Sequence, residues 1–386
     1  MTDNTQARAD RWRKRLSAVA MAVLIAAGVA VAQPAAAATT YCVKGTGYYW
    51  QSIAEDDFDS SWNTAGSSDW TLKSANGQVL KKGTTSADGR FSACSPAAGA
   101  SGVTLTLSST ASANGRVQWR TVSRTSLTPY QITVPVSGAR TTAADGTVTI
   151  AQPNVQIDGN LAGAWHIIDT LRLLWDKRGS TGACWNGSAC EALTFRWGTQ
   201  TSGGGVWVPE LHDVVLDYGD ATSKHTILHE AGHWWQWTLA GQHLEGNGKY
   251  KGWAKWMDIG DCDPHDYDLT TNTTCAWTEG WANAVAAHAL GDRRYVYADG
   301  RPDAVFDTTY STADRSEGNI TAALLGIFDV DGGFDRSAKA MGTLRTTFGQ
   351  YYGARGTLKY NNAATDAAVK KFGMDPILIL SSAPVS

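Results

Sequence analysis

The chain has 386 residues, with 33 Lys and Arg against 36 Asp and Glu, and 43% of its residues are hydrophobic while 18% are charged. That composition excludes a disordered chain, and the length favours two domains over one. The basic side chains Arg8, Arg11, Arg13, Lys14 and Arg15 cluster at the N-terminus, leaving the rest of the chain acidic and without the basic excess that nucleic-acid binding requires.

The basic stretch is followed by an apolar run, Leu16 to Ala32, and by the small residues Ala35 to Ala38. This order predicts a signal peptide over residues 1–38, with the mature chain starting near Thr39. The run is too short and Ala-rich to be expected to span a bilayer, and no later segment is apolar for long enough, so no stable membrane insertion is expected after cleavage. The Ala-rich leader has a bacterial character, and the expected location is secreted and extracellular. The six cysteines, Cys42, Cys94, Cys184, Cys190, Cys262 and Cys275, all follow the leader and form no C-x-x-C zinc pattern. In an oxidising compartment they predict three disulfides, and their grouping favours the sequential pairs Cys42–Cys94, Cys184–Cys190 and Cys262–Cys275.

Residues 39–150 predict an all-β sandwich domain. Short apolar runs at Trp70–Leu72, Val103–Leu107 and Val117–Trp119 alternate with clusters of Gly, Ser, Asn and Asp. The stretch Gly83 to Phe91, with its Asp88-Gly89 turn before a strand, resembles the T-x-x-D-G-x-F signature of transthyretin-like and carboxypeptidase-regulatory-like modules. That resemblance implies a β-sandwich with no catalytic residues of its own. Tyr48, Tyr49, Trp50 and Trp62 are aromatic candidates for core or for binding. Gly, Ala, Thr and Pro dominate 138–154, which suggests a linker.

A second domain is expected over 155–386, mostly α-helical with a small β-sheet, so that the whole chain is α+β. Leu161, Ile168, Leu171 and Leu174-Trp175 fall at helical spacing. Strands are expected at Leu193–Trp197 and from Val206 to Leu216. Helices are expected at about Ala221–Leu239, Trp277–Leu290 and Glu317–Phe328.

The first of these three helices contains His229-Glu230-Ala231-Gly232-His233. Side chains four apart on a helix share a face, so the two imidazoles can reach one ion, with Glu230 placed to take a proton from water bound to it. A third histidine six residues after His233, as in H-x-x-G-x-x-H, is absent, because Gln236 and Leu239 occupy those positions. A hydrolytic zinc site needs a third protein donor. Glu279, at the start of the next helix in Thr278-Glu279-Gly280-Trp281-Ala282-Asn283, is preferred over Glu317, Asp261 and His243. Asn283 shares its face and is expected to hold a ligand imidazole.

H-E-A-G-H followed 46 residues later by this glutamate resembles the gluzincin group of zinc metallopeptidases. The resemblance covers roughly 155–340. It implies that His229, His233 and Glu279 bind Zn²⁺ and that Glu230 is the catalytic base, although many members carry an aspartate where Asn283 stands.

Glu317 opens an apolar helix and is expected to line the cleft or orient a ligand. For the oxyanion, His265, Tyr295, Tyr297, Tyr310, Tyr351 and Tyr352 all remain open, while His288 faces away from Glu279. Asp261, Asp263, Asp266 and Asp268, and separately Asp329, Asp331 and Asp335, form acidic loops whose clustered carboxylates are candidate Ca²⁺ sites. The expected function is a secreted zinc metallopeptidase acting on a protein or peptide. The alternative is a non-catalytic secreted binder of cell-wall glycan or protein, which would have no use for Glu230.

Overall fold

The computed structural model describes residues 39–157, 159–178, 192–198, 204–209, 211–239, 262, 265–299, 301, 303–310, 313–330, 334–341 and 347–378. The expected signal segment, Cys184, Cys190, His243, Asp261, Asp263 and Asp331 lie outside them. An all-β region from Tyr41 to Ile157 precedes a helix-rich region with small sheets, which makes the fold α+β.

The β region is organised around β1 (Tyr41–Ser52). Its first half pairs antiparallel with β5 (Arg90–Ser95) and parallel with β11 (Val148–Ala151). Its second half pairs antiparallel with β2 (Ser60–Thr64) and parallel with β12 (Val155–Ile157). A second sheet runs β4 (Val79–Thr84), β3 (Asp69–Lys73), β6 (Thr104–Ser108), β9 (Gln131–Pro135), antiparallel throughout. Its buried Trp70, Leu72, Leu105 and Leu107 belong to the same core as Val43 and Phe91 of the first sheet, with the Trp70 and Phe91 rings 6.4 Å apart. Burial at every second position of β3 follows the period of the pleat.

The stretch 138–154 is a hairpin and not a linker. Strand β10 (Ala139–Thr142) pairs antiparallel with β11, and the turn between them passes through Asp145-Gly146, where Gly146 adopts φ 82°. Asp-Gly supplies the turn, and alternating Thr, Val and Ile supply strand propensity that the Gly- and Ala-rich composition conceals.

A five-stranded sheet crosses the expected division at 150–155. Its order is β14 (Val206–Val208), β15 (Asp213–Val215), β13 (Leu193–Trp197), β8 (Arg116–Ser123), β7 (Thr110–Ala113), and β8 lies parallel to β13. Helix α1 (Ala162–Lys177) packs on β8, where the Trp119 indole N–H donates to the Ile168 carbonyl at 3.0 Å. The single strand expected from Val206 to Leu216 is two short antiparallel strands. Pro209 has no N–H for a ladder, and His212 turns back with φ 54°.

The remaining helices are α2 (Lys224–Leu239), α3 (Thr273–Leu290), α4 (Glu317–Val330), α5 (Phe334–Ala340), α6 (Phe348–Thr357) and α7 (Ala363–Lys371). Helix α3 starts four residues before its expected position because the Asn272 side chain caps it, accepting from the N–H groups of Thr274 and Cys275 at 3.0 and 2.8 Å. It is apolar on nearly every face and buried accordingly. Trp277 stacks on Tyr351, and Trp281 and Trp235 both stack on Phe334. Much of the tryptophan is therefore core, whereas Trp50 and Trp62 are exposed. Among the described residues no helix is long and apolar enough to cross a membrane.

Cys42 and Cys94 face one another across β1 and β5 and are bonded, and Cys262 is bonded to Cys275 at the start of α3. Non-reducing peptide mapping should return these two bridges, with Cys184–Cys190 as the third. Replacing Cys42 and Cys94 by alanine should lower unfolding free energy by about 3 kcal/mol, read by denaturant titration.

Candidate active site

The site begins with a close approach of helices. A Cβ at Gly232 would lie 2.8 Å from the Ala282 Cα, so only glycine lets α2 sit this near to α3. Gly280 plays the same part between α3 and α4, where a Cβ would lie 2.7 Å from the Ile320 Cγ2. The glycines of H-E-A-G-H and T-E-G-W-A-N are thus packing residues, and they bring three helices into one corner.

That approach carries Glu279 onto the two imidazoles. Glu279 Oε2 is 3.1 Å from His229 Nε2 and 3.2 Å from His233 Nε2, and the two Nε2 atoms are 3.1 Å apart. Three donors bonded at about 2.0–2.1 Å to one tetrahedral zinc would lie roughly 3.3 Å from one another, close to the spacing found. Two neutral nitrogens and a carboxylate are the donor set of a hydrolytic zinc site, with a fourth position left for water. Among the described residues this is the group whose donor atoms could hold a metal ion. Asn283 Oδ1 accepts from His229 Nδ1–H at 2.7 Å, which turns the Nε2 lone pair toward the other two donors. Burial opposes charge on Glu279, but His233 and His229 outweigh it and hold the carboxyl well below its usual range. Burial also opposes charge on His229; Glu279 and Glu230 overcome it and raise its pKa.

These residues open into a cleft of about 520 Å³. Glu230 is 6% exposed and lines it, beside Gly204, Gly205 and Trp207 at the start of β14. Strand β14 ends its sheet, so its outer edge has no strand partner among the described residues. The Gly204 N–H donates to Asp217 Oδ2 at 2.7 Å, which fixes the head of this strand. Tyr295, Tyr297 and Arg301 line the cleft as well. Burial pushes both tyrosine hydroxyls far above their ordinary pKa, so they stay protonated, and the Tyr297 hydroxyl donates to Asp266 Oδ1 at 3.2 Å.

His265 lines the cleft and its Nδ1–H donates to Glu317 Oε1 at 3.0 Å. This hydrogen bond raises the His265 pKa to about 9. Burial pushes the Glu317 carboxyl up while His265 draws it down, and we take the pair as imidazolium and carboxylate because His265 keeps enough exposure to solvate its charge. Glu317 is therefore brought to His265 and not to a ligand histidine.

The other oxyanion candidates are bonded elsewhere. Tyr351 donates to Ser337 Oγ, Tyr352 to Asp366 and Tyr310 to the Val305 carbonyl. His288 packs against Phe328 and Phe334. In the acidic loops, Asp266 pairs with Arg301 and accepts from the Tyr297 hydroxyl, and Asp329 pairs with Arg293. Asp217 and the place of Gly204 at the cleft escaped sequence reasoning, since a lone aspartate carries no spacing signal and a glycine run between two strands marks only a break.

Gly232→Ala should destabilise the protein by about 1–3 kcal/mol through overpacking against Ala282, read by denaturant titration. Wild-type stability would rule out the close approach of α2 and α3.

No curated protein matches this chain. Among solved structures, the shaft pilin spaA from Lactobacillus rhamnosus GG is similar at 18% identity and a TM-score of 0.16, covering 30% of this chain and 49% of that one, too weak a likeness to carry an argument. This chain thus matches about half of the pilin's length. The family model described as Mycolysin C-terminal domain matches residues 178–372. That span holds His229, Glu230, His233, Glu279 and Glu317, and it leaves out β1–β12 and α1. The chain therefore belongs to the peptidase-related Mycolysin C-terminal domain family.

Proposed function

We propose that the protein is a secreted zinc metallopeptidase that hydrolyses peptide bonds in a protein or peptide substrate. The observation that carries this reading is the convergence of His229 Nε2, His233 Nε2 and Glu279 Oε2 to within 3.2 Å of one another, in a cleft that Glu230 also lines. Zinc bound there would act as a Lewis acid and bring the pKa of water toward neutrality.

The chain's own residues account for the rest of the reaction. Glu230 accepts a proton from the attacking water and returns it to the leaving amine. The His265 imidazolium, held by Glu317, supplies positive charge and a hydrogen-bond donor toward the scissile carbonyl oxygen as negative charge develops on it. The Tyr295 hydroxyl is a further donor at the same wall. The open edge of β14 offers N–H and C=O groups to an extended backbone, which suits a peptide substrate better than a sugar. A non-catalytic binder has no need of a carboxylate beside three converging metal donors.

A casein or gelatin zymogram should show a cleared band that a chelator abolishes and zinc restores. Glu230→Gln should retain about one zinc per chain while losing at least about 10³-fold in kcat, because it removes the base and no ligand. Turnover near wild type in that variant would mean that Glu230 is not the base. Glu279→Ala should lose zinc and activity together, and Glu317→Ala should keep zinc.

The pH profile tests His265. Its pKa is raised to about 9, so the donor is present at neutral pH and is lost as pH rises through 9. The stability from the same pair is full below the ordinary imidazole pKa of about 6.5 and fades as pH rises through about 9. kcat should fall on an alkaline limb near pH 9, and His265→Gln should lower kcat about 10²-fold and remove that limb. An unchanged limb would assign the titration to another group.

A further inference from the structure

The β region reaches the elements that carry the cleft through two residues outside the family match, Glu55 and Arg124. Glu55, in the short 3-10 turn after β1, accepts from the His225 N–H at 2.8 Å, a tie spanning 170 residues of sequence. Its Oε1 also lies 3.5 Å from Ser223 Oγ, which accepts from the Thr226 N–H at 3.0 Å. Glu55 and Ser223 thus share the amides at the start of α2 that have no partner within the helix, and a carboxylate there complements the positive end of the helix. His225 is one turn before His229, so the tie acts directly on the end of the helix that carries both imidazoles and Glu230. Asp56 adds a second, longer contact to Lys224 at 4.0 Å.

On the other wall, Arg124 follows β8 and lies 3.5 Å from Asp217 Oδ1. Asp217 uses its other oxygen to hold Gly204 at the head of the edge strand. One contact from the β region therefore sets the metal-bearing helix, and another sets the strand across the cleft from it.

We propose that the β region is a permanent brace of the active site and not a removable leader domain, with Glu55 and Arg124 as positioning residues for the two walls of the cleft. The proposal rests on the peptidase reading for what the cleft does, but the brace itself is independent of that reaction. Neither residue touches the metal donors. Each acts through another group, Glu55 through the His225 amide and Arg124 through Asp217. Loss of the Glu55 bond would free the first turn of α2 and tilt His229 relative to Glu279, and a small misplacement of ligands is enough to weaken a metal site.

The test uses the full chain. Zinc affinity is measured by competition with a chromophoric chelator, beside kcat and KM on a peptide and the thermal midpoint. Glu55→Ala should weaken zinc binding and lower kcat by about tenfold each, whereas Glu55→Gln should recover most of both because its amide oxygen can accept the same bond. Glu55→Asp, too short to reach His225, should behave like the alanine variant and serves where alanine prevents folding. Arg124→Ala should raise KM by about three- to tenfold while zinc affinity stays at the wild-type value. N-terminal sequencing of the secreted, active band should find a chain that retains residues 41–157.

An active band that begins after Ile157 would overturn the proposal. So would Glu55 and Arg124 variants that shift only the thermal midpoint, with zinc affinity, kcat and KM as in wild type. The zinc measurement separates this result from a failure of the peptidase reading, since a Glu230→Gln variant as active as wild type would unseat the assigned reaction and leave the Glu55 effect on metal affinity standing.

Discussion

Everything at the centre of this molecule depends on how close α2 and α3 can come. Two imidazoles four residues apart present only one side of a metal site, and the remaining donor must arrive from another element. Gly232 removes the side chain that would hold the helices apart, and Ala282 presents the smallest partner opposite it. At that separation Glu279 reaches both Nε2 atoms and Asn283 reaches His229 Nδ1. The same trick at Gly280 seats α4 against α3, which brings Glu317 near enough to engage His265.

The large aromatic side chains make this approach rigid. Trp235 and Trp281, on the backs of the two helices, share Phe334 as a stacking partner, and Trp277 packs on Tyr351. Buried ring area on that scale resists rotation of either helix. A small residue at the crossing and large ones behind it therefore have one result: the helices meet at a fixed distance with a fixed rotation. Burial opposes charge in this corner and pairing overcomes it: Glu279 stays ionised between its imidazoles, and His265 holds its proton against Glu317.

The β region enters the same logic from outside. Strand β8 is an inner member of the sheet whose far end forms the cleft wall, and the Tyr49 hydroxyl reaches His166 on α1 at 3.2 Å. Pairing of β8 with β13 and capping of α2 by Glu55 place the helix-rich region on a surface made by residues more than 70 positions earlier. A change of structural class along the chain is thus not a change of folding unit at the same residue.

The sequence alone determined the elements whose signal is local. H-E-A-G-H at helical spacing identified His229, Glu230 and His233, because a period of 3.6 residues projects positions four apart on one face. Glu279 and Glu317 each open an apolar helical stretch, and short apolar runs between turn clusters mark β3 and β6. The hairpin at 139–151 was hidden by a composition that reads as linker, although Asp145-Gly146 was its visible cue. Tertiary structure alone decided which of six oxyanion candidates face the cleft. Tyr351, Tyr352 and Tyr310 are drawn to partners elsewhere, whereas His265, Tyr295 and Tyr297 line it, Tyr297 with its hydroxyl donating to Asp266. It also decided that Glu317 serves His265, that Asp217 holds Gly204, and that Glu55 caps a helix 170 residues away. Those contacts join residues distant in sequence, and no local period or spacing encodes a distance that only the packed chain creates.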